Sequence, residues 1–221
     1  YPAGDLSGAE VVIWTTTPWT LPANQAVAFH PDLEYVLVEF SHLAWAKPRK
    51  LLVAKSRLGP VSQALNVSNA RILRSWRGSE LAPADLAGRG NVNFVYQTPF
   101  GTEEGVGVLG LYVTADDGTG VVHTAPGHGE DDFYTGKKYG LEILCPVDGS
   151  GRFTEQAALF QGKRIFEEGN PAVMDDLRAR GLLLAEAKVQ HSYPHCWRCK
   201  NPIAFRATEQ WFLSVSHQGL R

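Results

Sequence analysis

Three consecutive threonines, Thr15, Thr16 and Thr17, stand between Trp14 and Trp19 in the stretch WTTTPWTLPAN, which ends at Asn24. Hydroxyls gathered at a strand end are a common way to build a polar binding site. The run Val11 to Trp14 ahead of them is apolar and β-favouring. Pro18 and Pro22 then stop regular pairing, because each lacks a backbone donor and fixes φ. The threonines are therefore expected at the end of a strand, opening into a constrained loop with Trp14 buried beneath it. The ordinary alternative is an edge strand and turn, with threonine chosen for β-propensity.

A second concentration of chemistry lies in GTGVVHTAPGHGEDDF, Gly118 to Phe133. Its glycines and proline force a turn between a strand and an acidic helix start, where a ligand can approach the backbone closely. His123 closes that strand and Asp132 sits one turn inside the helix. A carboxylate beside helix-start amides is expected to be held ionised and to suit a ligand ammonium group. Glu130, Asp131 and Asp132 could equally do no more than complement the helix dipole.

The third is PHCWRCK, Pro194 to Lys200, in which Cys196 and Cys199 have the two-residue gap of a zinc knuckle. Four ligands are needed, Cys145 is the one remaining thiolate, and the spacing of His191 and His195 matches no common pattern. The pair reads as half a site completed from outside the chain, or as two free thiols. His128-Gly129-Glu130 followed by Cys196 and Cys199 also imitates the zinc deaminase signature H-x-E…P-C-x-x-C. The imitation is poor, because His195 intervenes between Pro194 and Cys196 and glycines surround the His-Glu pair instead of helix.

Positioning these groups falls to a series of short β-like runs at 26–29, 35–40, 50–54, 70–76, 105–114 and 120–124. Their number and spacing predict a barrel-like or strongly bent sheet. Helices are predicted at 55–65, at 130–139 with acids first and Lys137 and Lys138 last, and from Asn170 as cap with Pro171 in the first turn to Gly181. VDGSGRF, 147–153, reads as a hairpin turn. The fold class expected is α+β, a β-barrel-like domain over 1–187 with peripheral helices and a contiguous exit segment over 188–221.

The composition is that of an ordinary globular chain of 221 residues, 44% apolar and 20% charged. No run approaches the roughly 18 apolar residues needed to cross a bilayer, and nothing resembles a signal peptide. Three cysteines argue against a disulfide framework and for a reducing, cytoplasmic setting. A chain that starts on Tyr1 and stops on Arg221 reads as an excised piece. The net charge of −2 makes no whole-molecule case for nucleic acid, but its distribution is uneven. Residues 1–40 hold five acids and no Lys or Arg. Residues 41–89 hold nine bases against Glu80 and Asp85, and 188–221 hold five against Glu209. Either basic stretch could face phosphates or be a solvated surface.

Taken in order, WTTTPWTLPAN, GTGVVHTAPGHGEDDF, HSYPHCWRC and RATEQWF resemble the editing domain of isoleucyl-tRNA synthetases, over nearly the whole chain from about Val11. Valyl and leucyl relatives differ after the threonines and around His123. The synthesis-site signatures His-x-Gly-His and Lys-Met-Ser-Lys-Ser are absent, so the resemblance implies the inserted editing domain without an ATP-dependent aminoacylation site. It implies hydrolysis of valine misattached to tRNA(Ile), or of valyl-adenylate, by a monomer that meets the tRNA acceptor end and returns through 188–221 to the synthetase body. Asp132 would hold the ammonium group, and His123 and Trp19 would limit the size of the side chain. Thr15, Thr16 and Thr17 would meet the ester, the terminal ribose and the water, with Asn24 supporting the loop or the ligand. No cofactor is implied for editing; zinc would bind through Cys196 and Cys199 in the full-length enzyme. A tRNA-docking module without activity and a metal-dependent hydrolase are the rival classes.

Overall fold

The structure is a computed structural model that describes residues 6–84, 94–100, 104–190 and 192–216. Asp85 and Arg89 of the basic stretch, the zinc-ligand candidate His191, and 217–221 of the exit segment lie outside the described residues.

Two four-stranded sheets carry the fold. In the first, β1 (Glu10–Val11), β4 (Arg49–Ala54), β3 (Glu34–Phe40) and β5 (Ala70–Arg77) lie in the order β1-β4-β3-β5; in the second, β6 (Val95–Gln97), β7 (Glu104–Leu109), β2 (Ala26–Phe29) and β8 (Val121–Thr124) lie in the order β6-β7-β2-β8. Side chains of successive strand residues alternate between faces. Val27 and Phe29 of β2 therefore face Tyr35, Leu37, Leu52 and Trp76 of the other sheet, while Ala26 and Ala28 turn to the opposite side and meet Tyr139. The same alternation sends Val36, Val38 and Phe40 to the outer face of β3, under Val61 and Leu65. Burial on both faces is why these strands read as unbroken apolar runs. With the helices the strands give the expected α+β class; they form two facing four-stranded sheets, and among the described residues these do not close into one barrel.

The helices are α1 (Leu58–Ala64), α2 (Gly78–Leu81), α3 (Glu130–Tyr139) and α4 (Asn170–Ala179). α3 matches the expected range, and Gly140 ends it at φ 65°, a left-handed conformation that glycine adopts without strain. α4 differs in its start. A π turn over Ile165–Gly169 leads straight into it, so Asn170 is a helical residue whose side chain caps nothing in its own helix. Its Oδ1 instead accepts the backbone N–H of Trp19 at 2.9 Å. The bridge Val147↔Phe153 and the bond from Asp148 N–H to Arg152 C=O close the expected hairpin turn.

The strand expected to run to Trp14 is shorter. Pairing ends at Val11, apart from a bond from Val12 N–H to Leu52 C=O, and the chain turns away. Likewise β7 stops at Leu109, where Gly110 N–H bonds to Phe29 C=O and a turn follows.

Folding pairs part of the basic stretch with the acidic one. Arg49 pairs with Glu10, Lys55 with Glu34 and Arg71 with Glu39, each joining the basic stretch to the acidic one. Exposed pairs of this kind contribute roughly 0–1 kcal/mol each, but they leave less free positive charge for a phosphate surface.

Candidate functional site

The threonine loop is held by its own hydroxyls. Thr17 N–H donates to Thr15 Oγ1 at 3.0 Å, a local side-chain bond that holds the threonines in a turn and not in strand pairing. Pro18 to Ala23 then form a 3-10 turn whose residues Trp19, Thr20, Leu21 and Ala23 are buried. Trp19 and Leu21 pack into a cluster with Phe153, Ile165, Val173 and Leu177. Asn170 fixes the Trp19 backbone from α4, so the loop is tied to the helix that follows it by about 150 residues in sequence.

His123 is the penultimate residue of β8 and is buried, and both of its nitrogens are bonded. Thr20 Oγ1 donates to Thr17 C=O at 2.9 Å and so accepts from His123 Nε2–H, also at 2.9 Å. Asn24 Nδ2 has two hydrogens. One goes to Ala26 C=O at 3.0 Å and the other to His123 Nδ1 at 3.2 Å, while Asn24 Oδ1 accepts from the Tyr96 hydroxyl. This accounting assigns the proton to Nε2. Burial, with a smaller contribution from His128, lowers the His123 pKa to about 4, so the ring is neutral at physiological pH.

His128 lies across the turn Ala125–Gly127 and is equally buried, but it is differently served. Its Nδ1–H donates to Phe205 C=O at 3.0 Å, and its Nε2 is buried without a hydrogen-bond partner. Burial lowers its pKa, the bond to Phe205 opposes that, and Arg206 adds to it. The Trp19 ring meets His128 edge-on at 4.9 Å. Gly127 is required here, because a Cβ would fall 2.1 Å from Leu144 C=O.

Asp132 accepts Ala125 N–H through Oδ2 at 2.9 Å and so braces the same turn. It was expected to be held ionised by the helix-start amides, but its pKa moves the other way. Burial outweighs the Ala125 bond, and with Asp131 nearby the pKa rises to about 6. The carboxylate still predominates at neutral pH.

Two cavities flank the threonine loop. A groove of about 1520 Å³ is lined by Thr15, Thr16, Asn24, Tyr96 and His123, among others. A smaller cavity of about 260 Å³ is lined by Thr16, Thr17, Trp19, Thr20 and His128 together with Tyr193 and Phe205 of the exit segment. Thr16 borders both, and Asp132 lines neither. The predicted residues are thus brought to one region but divided between two spaces. Trp14 is half-exposed, on the rim of the groove and against Gly118, where burial beneath the loop was expected.

The sequence reading missed Thr20, Tyr96, His128 and Asn170 as members of the site. Thr20 and His128 lie inside the quoted motifs and could have been found there; Tyr96, on a three-residue strand, gives no signal. The exit segment has no helix or strand among its described residues, yet it folds over the site. Ala207 N–H bonds to Gly127 C=O at 2.8 Å and Arg206 Nε–H to Val147 C=O at 2.7 Å.

Cys196 and Cys199 form a knuckle turn in which Lys200 N–H bonds to Cys196 C=O. Backbone N–H groups of Cys199 and then Arg198 lower the Cys196 thiol pKa, as suits a thiolate ligand. The pair fits two positions of a zinc site, and among the described residues no group of three or more His, Cys, Asp or Glu completes one.

No family model matches the chain. Over 208 residues it is 49% identical to the isoleucine–tRNA ligase of Desulforamulus reducens, covering 94% of this chain and 20% of that protein. It is 46% identical over 213 residues to that of Halorhodospira halophila, covering 96% of this chain and 21% of that protein. The chain therefore spans about a fifth of the length of these relatives. Among solved structures it is similar to GlLeuRS-CP1, with TM-score 0.56 and 13% identity over 85% of this chain and 87% of that one. The P. falciparum cytosolic leucyl-tRNA synthetase editing domain gives TM-score 0.53 and 12% identity over 79% of each chain. At such identities the likeness establishes the fold alone.

Proposed function

The chain is homologous to one segment of the isoleucine–tRNA ligases and shares the α+β fold of a synthetase editing domain, and from these premises we propose that it hydrolyses valine misattached to tRNA(Ile). Valyl-adenylate is a second substrate of the same kind. Valine and isoleucine differ by one methylene, worth about 1–3 kcal/mol in a binding pocket, a discrimination problem for which isoleucyl-tRNA synthetases are themselves the standard illustration. A second site that admits the smaller side chain and excludes the larger removes the error, because overfilling a rigid pocket costs more than a missing contact.

The observation that carries this reading is the bonded frame around His123. A neutral ring locked by Thr20 and Asn24 is a rigid wall, suited to excluding a longer side chain and unsuited to proton transfer, since neither nitrogen is spare. Trp19, buried in the cluster with Phe153, Ile165 and Val173, would set the limit on the side of the smaller cavity. Asp132 would take the ammonium group, which requires the ligand to reach the Ala125 to Gly129 turn. Thr15, Thr16 and Thr17 would receive the ester, the ribose and the water. Positioning of the reacting groups supplies much of the rate in such a site.

Deacylation assays with valyl-tRNA(Ile) and isoleucyl-tRNA(Ile) test the reading; hydrolysis of the first and not of the second is expected, and hydrolysis of neither rejects it. Partners in this reading are the tRNA acceptor end and the rest of a synthetase. The exposed Trp211, Phe212 and Leu213 of the exit segment would pack against that body. The chain would act in the cytoplasm, as part of a monomeric enzyme. No helix among the described residues is long and apolar enough to cross a membrane. Zinc at Cys196 and Cys199, with two ligands from elsewhere in a longer chain, would be structural, so a chelator should leave the hydrolytic step unchanged.

A further inference from the structure

We propose that Tyr96 is a specificity-determining positioning residue: its hydroxyl holds the Asn24 side-chain amide, and through it the His123 ring, in the arrangement that bars a longer side chain. The inference rests on the hydrolytic reading above and deepens it by naming what keeps the size limit in place.

Three observations converge. First, Tyr96 completes the bonding of Asn24. That side chain is buried, its Nδ2 hydrogens go to Ala26 C=O and His123 Nδ1, and its oxygen accepts from the Tyr96 hydroxyl. An amide's partners decide how it sits, because its two ends are nearly the same size. Without the hydroxyl the oxygen is a buried acceptor left unpaired, and the amide gains by swinging away from His123 toward another donor. Second, the tyrosine ring has a built seat. Tyr96 is paired with Gly105 across β6 and β7, and a Cβ on Gly105 would overlap the Tyr96 Cζ, Cε1 and hydroxyl. Glycine weakens a strand, and inside one it marks a place where another group comes close. Third, Tyr96, Asn24 and His123 line the same groove as Thr15 and Thr16, so this bonded series of side chains forms part of its surface.

The series fixes the ring at two points. Thr20 accepts from Nε2–H and is itself tied to Thr17 C=O, which leaves the ring free to pivot about that bond. Asn24 supplies the second point at Nδ1, and Tyr96 steadies Asn24. Burial, opposed by the Asn24 bond, raises the Tyr96 pKa, so the hydroxyl keeps its proton and remains a donor at neutral pH. Tyr96 thus acts through two other residues and takes no part in bond making or breaking.

Single-turnover deacylation of valyl-tRNA(Ile) and isoleucyl-tRNA(Ile), with the chain in excess, tests this. Tyr96→Phe keeps the ring on Gly105 and removes the hydroxyl alone. The ratio of the valyl to the isoleucyl rate should fall about tenfold, the scale of one hydrogen bond, through faster loss of isoleucine and with the valyl rate within about threefold of wild type. In a His123→Ala background the same substitution should change the ratio no further, because its effect passes through the ring. Nitrogen NMR of the His123 imidazole should show the Nε2–H tautomer in wild type and a shifted or mixed signal in Tyr96→Phe. Gly105→Ala, which displaces the ring with its hydroxyl intact, should lower the ratio as well and stands in if the hydroxyl proves necessary for folding. Thermal melts report whether each variant is folded. A folded Tyr96→Phe or Gly105→Ala variant with the wild-type ratio, a Tyr96→Phe variant with wild-type His123 resonances, or an effect that adds in full to that of His123→Ala overturns the assignment and leaves the hydrolytic reading intact. A wild-type chain that hydrolyses neither substrate overturns both.

Discussion

His123 and His128 stand five residues apart on either side of one turn, buried to the same degree, and their surroundings could hardly differ more in purpose. Around His123 every donor meets an acceptor: Thr20, Asn24, Tyr96 and two backbone carbonyls complete a closed network. Around His128 one bond to the exit segment fixes the ring, and the other nitrogen is left over. Closed networks rigidify and specify, while a buried nitrogen left without a partner lowers stability. Burial alone therefore does not distinguish the two histidines; the hydrogen-bond inventory does.

The sharpest way to break this contrast is at the closed side. His123→Ala strands Asn24 and Thr20 and opens a cavity, so denaturant unfolding should show a loss of about 3–4 kcal/mol. The remaining folded fraction should begin to hydrolyse isoleucyl-tRNA(Ile). Unchanged stability would mean that the network is not what holds the ring.

A second effect, of up to about 3 kcal/mol, concerns pH. The folded pKa of His123 is depressed to about 4 from 6.5, so its contribution to stability is present above 6.5 and is lost as pH falls toward 4. The folded pKa of Asp132 is raised to about 6 from 3.8, so its contribution is present below 3.8 and is lost as pH rises through 6. The two oppose each other in the same window. Relative to wild type, Asp132→Asn should make stability climb more steeply between pH 4 and 6.5, and His123→Gln should tilt it the other way. Melting curves across that range read the slopes directly. The same Asp132→Asn variant should lose hydrolysis of valyl-tRNA(Ile) if the carboxylate anchors the ammonium group.

Smaller still is the anchoring of the loop. Asn170→Ala removes the acceptor for Trp19 N–H across the interface with α4 and should cost about 1–2 kcal/mol. Because it frees the wall that flanks His128 and leaves the His123 bonds in place, it should impair discrimination less than His123→Ala. Equal effects would show that the two walls act as one unit.

Much of the fold was legible in the sequence. The runs at 26–29, 35–40, 50–54 and 70–76 all became strands; the first three are largely buried and read as continuous apolar residues, whereas 70–76 is an exposed strand with Trp76 alone buried. α3 kept its expected bounds because acids, lysines and Gly140 mark both ends. Errors had two sources. The strand into the threonines stopped short of a local turn closed by the Thr15–Thr17 bond, and Asn170 gave up capping to serve Trp19, 151 residues away. Tyr96 was invisible because its strand is only three residues long.

What the sequence determined by itself was the set of chemical groups and their local order: threonines after a β-like run, a histidine at a strand end, a carboxylate in a helix start and a pair of cysteines two residues apart. Local steric and dipole preferences set those features, and they operate between near neighbours in the chain. The protonation and bonding of the histidines were decided only by tertiary structure. The partners concerned, Asn24 for His123 and Phe205 for His128, lie 99 and 77 residues away. Desolvation, which moves His123 and Asp132 in opposite directions, likewise depends on what packs around a group and is not written in its neighbours.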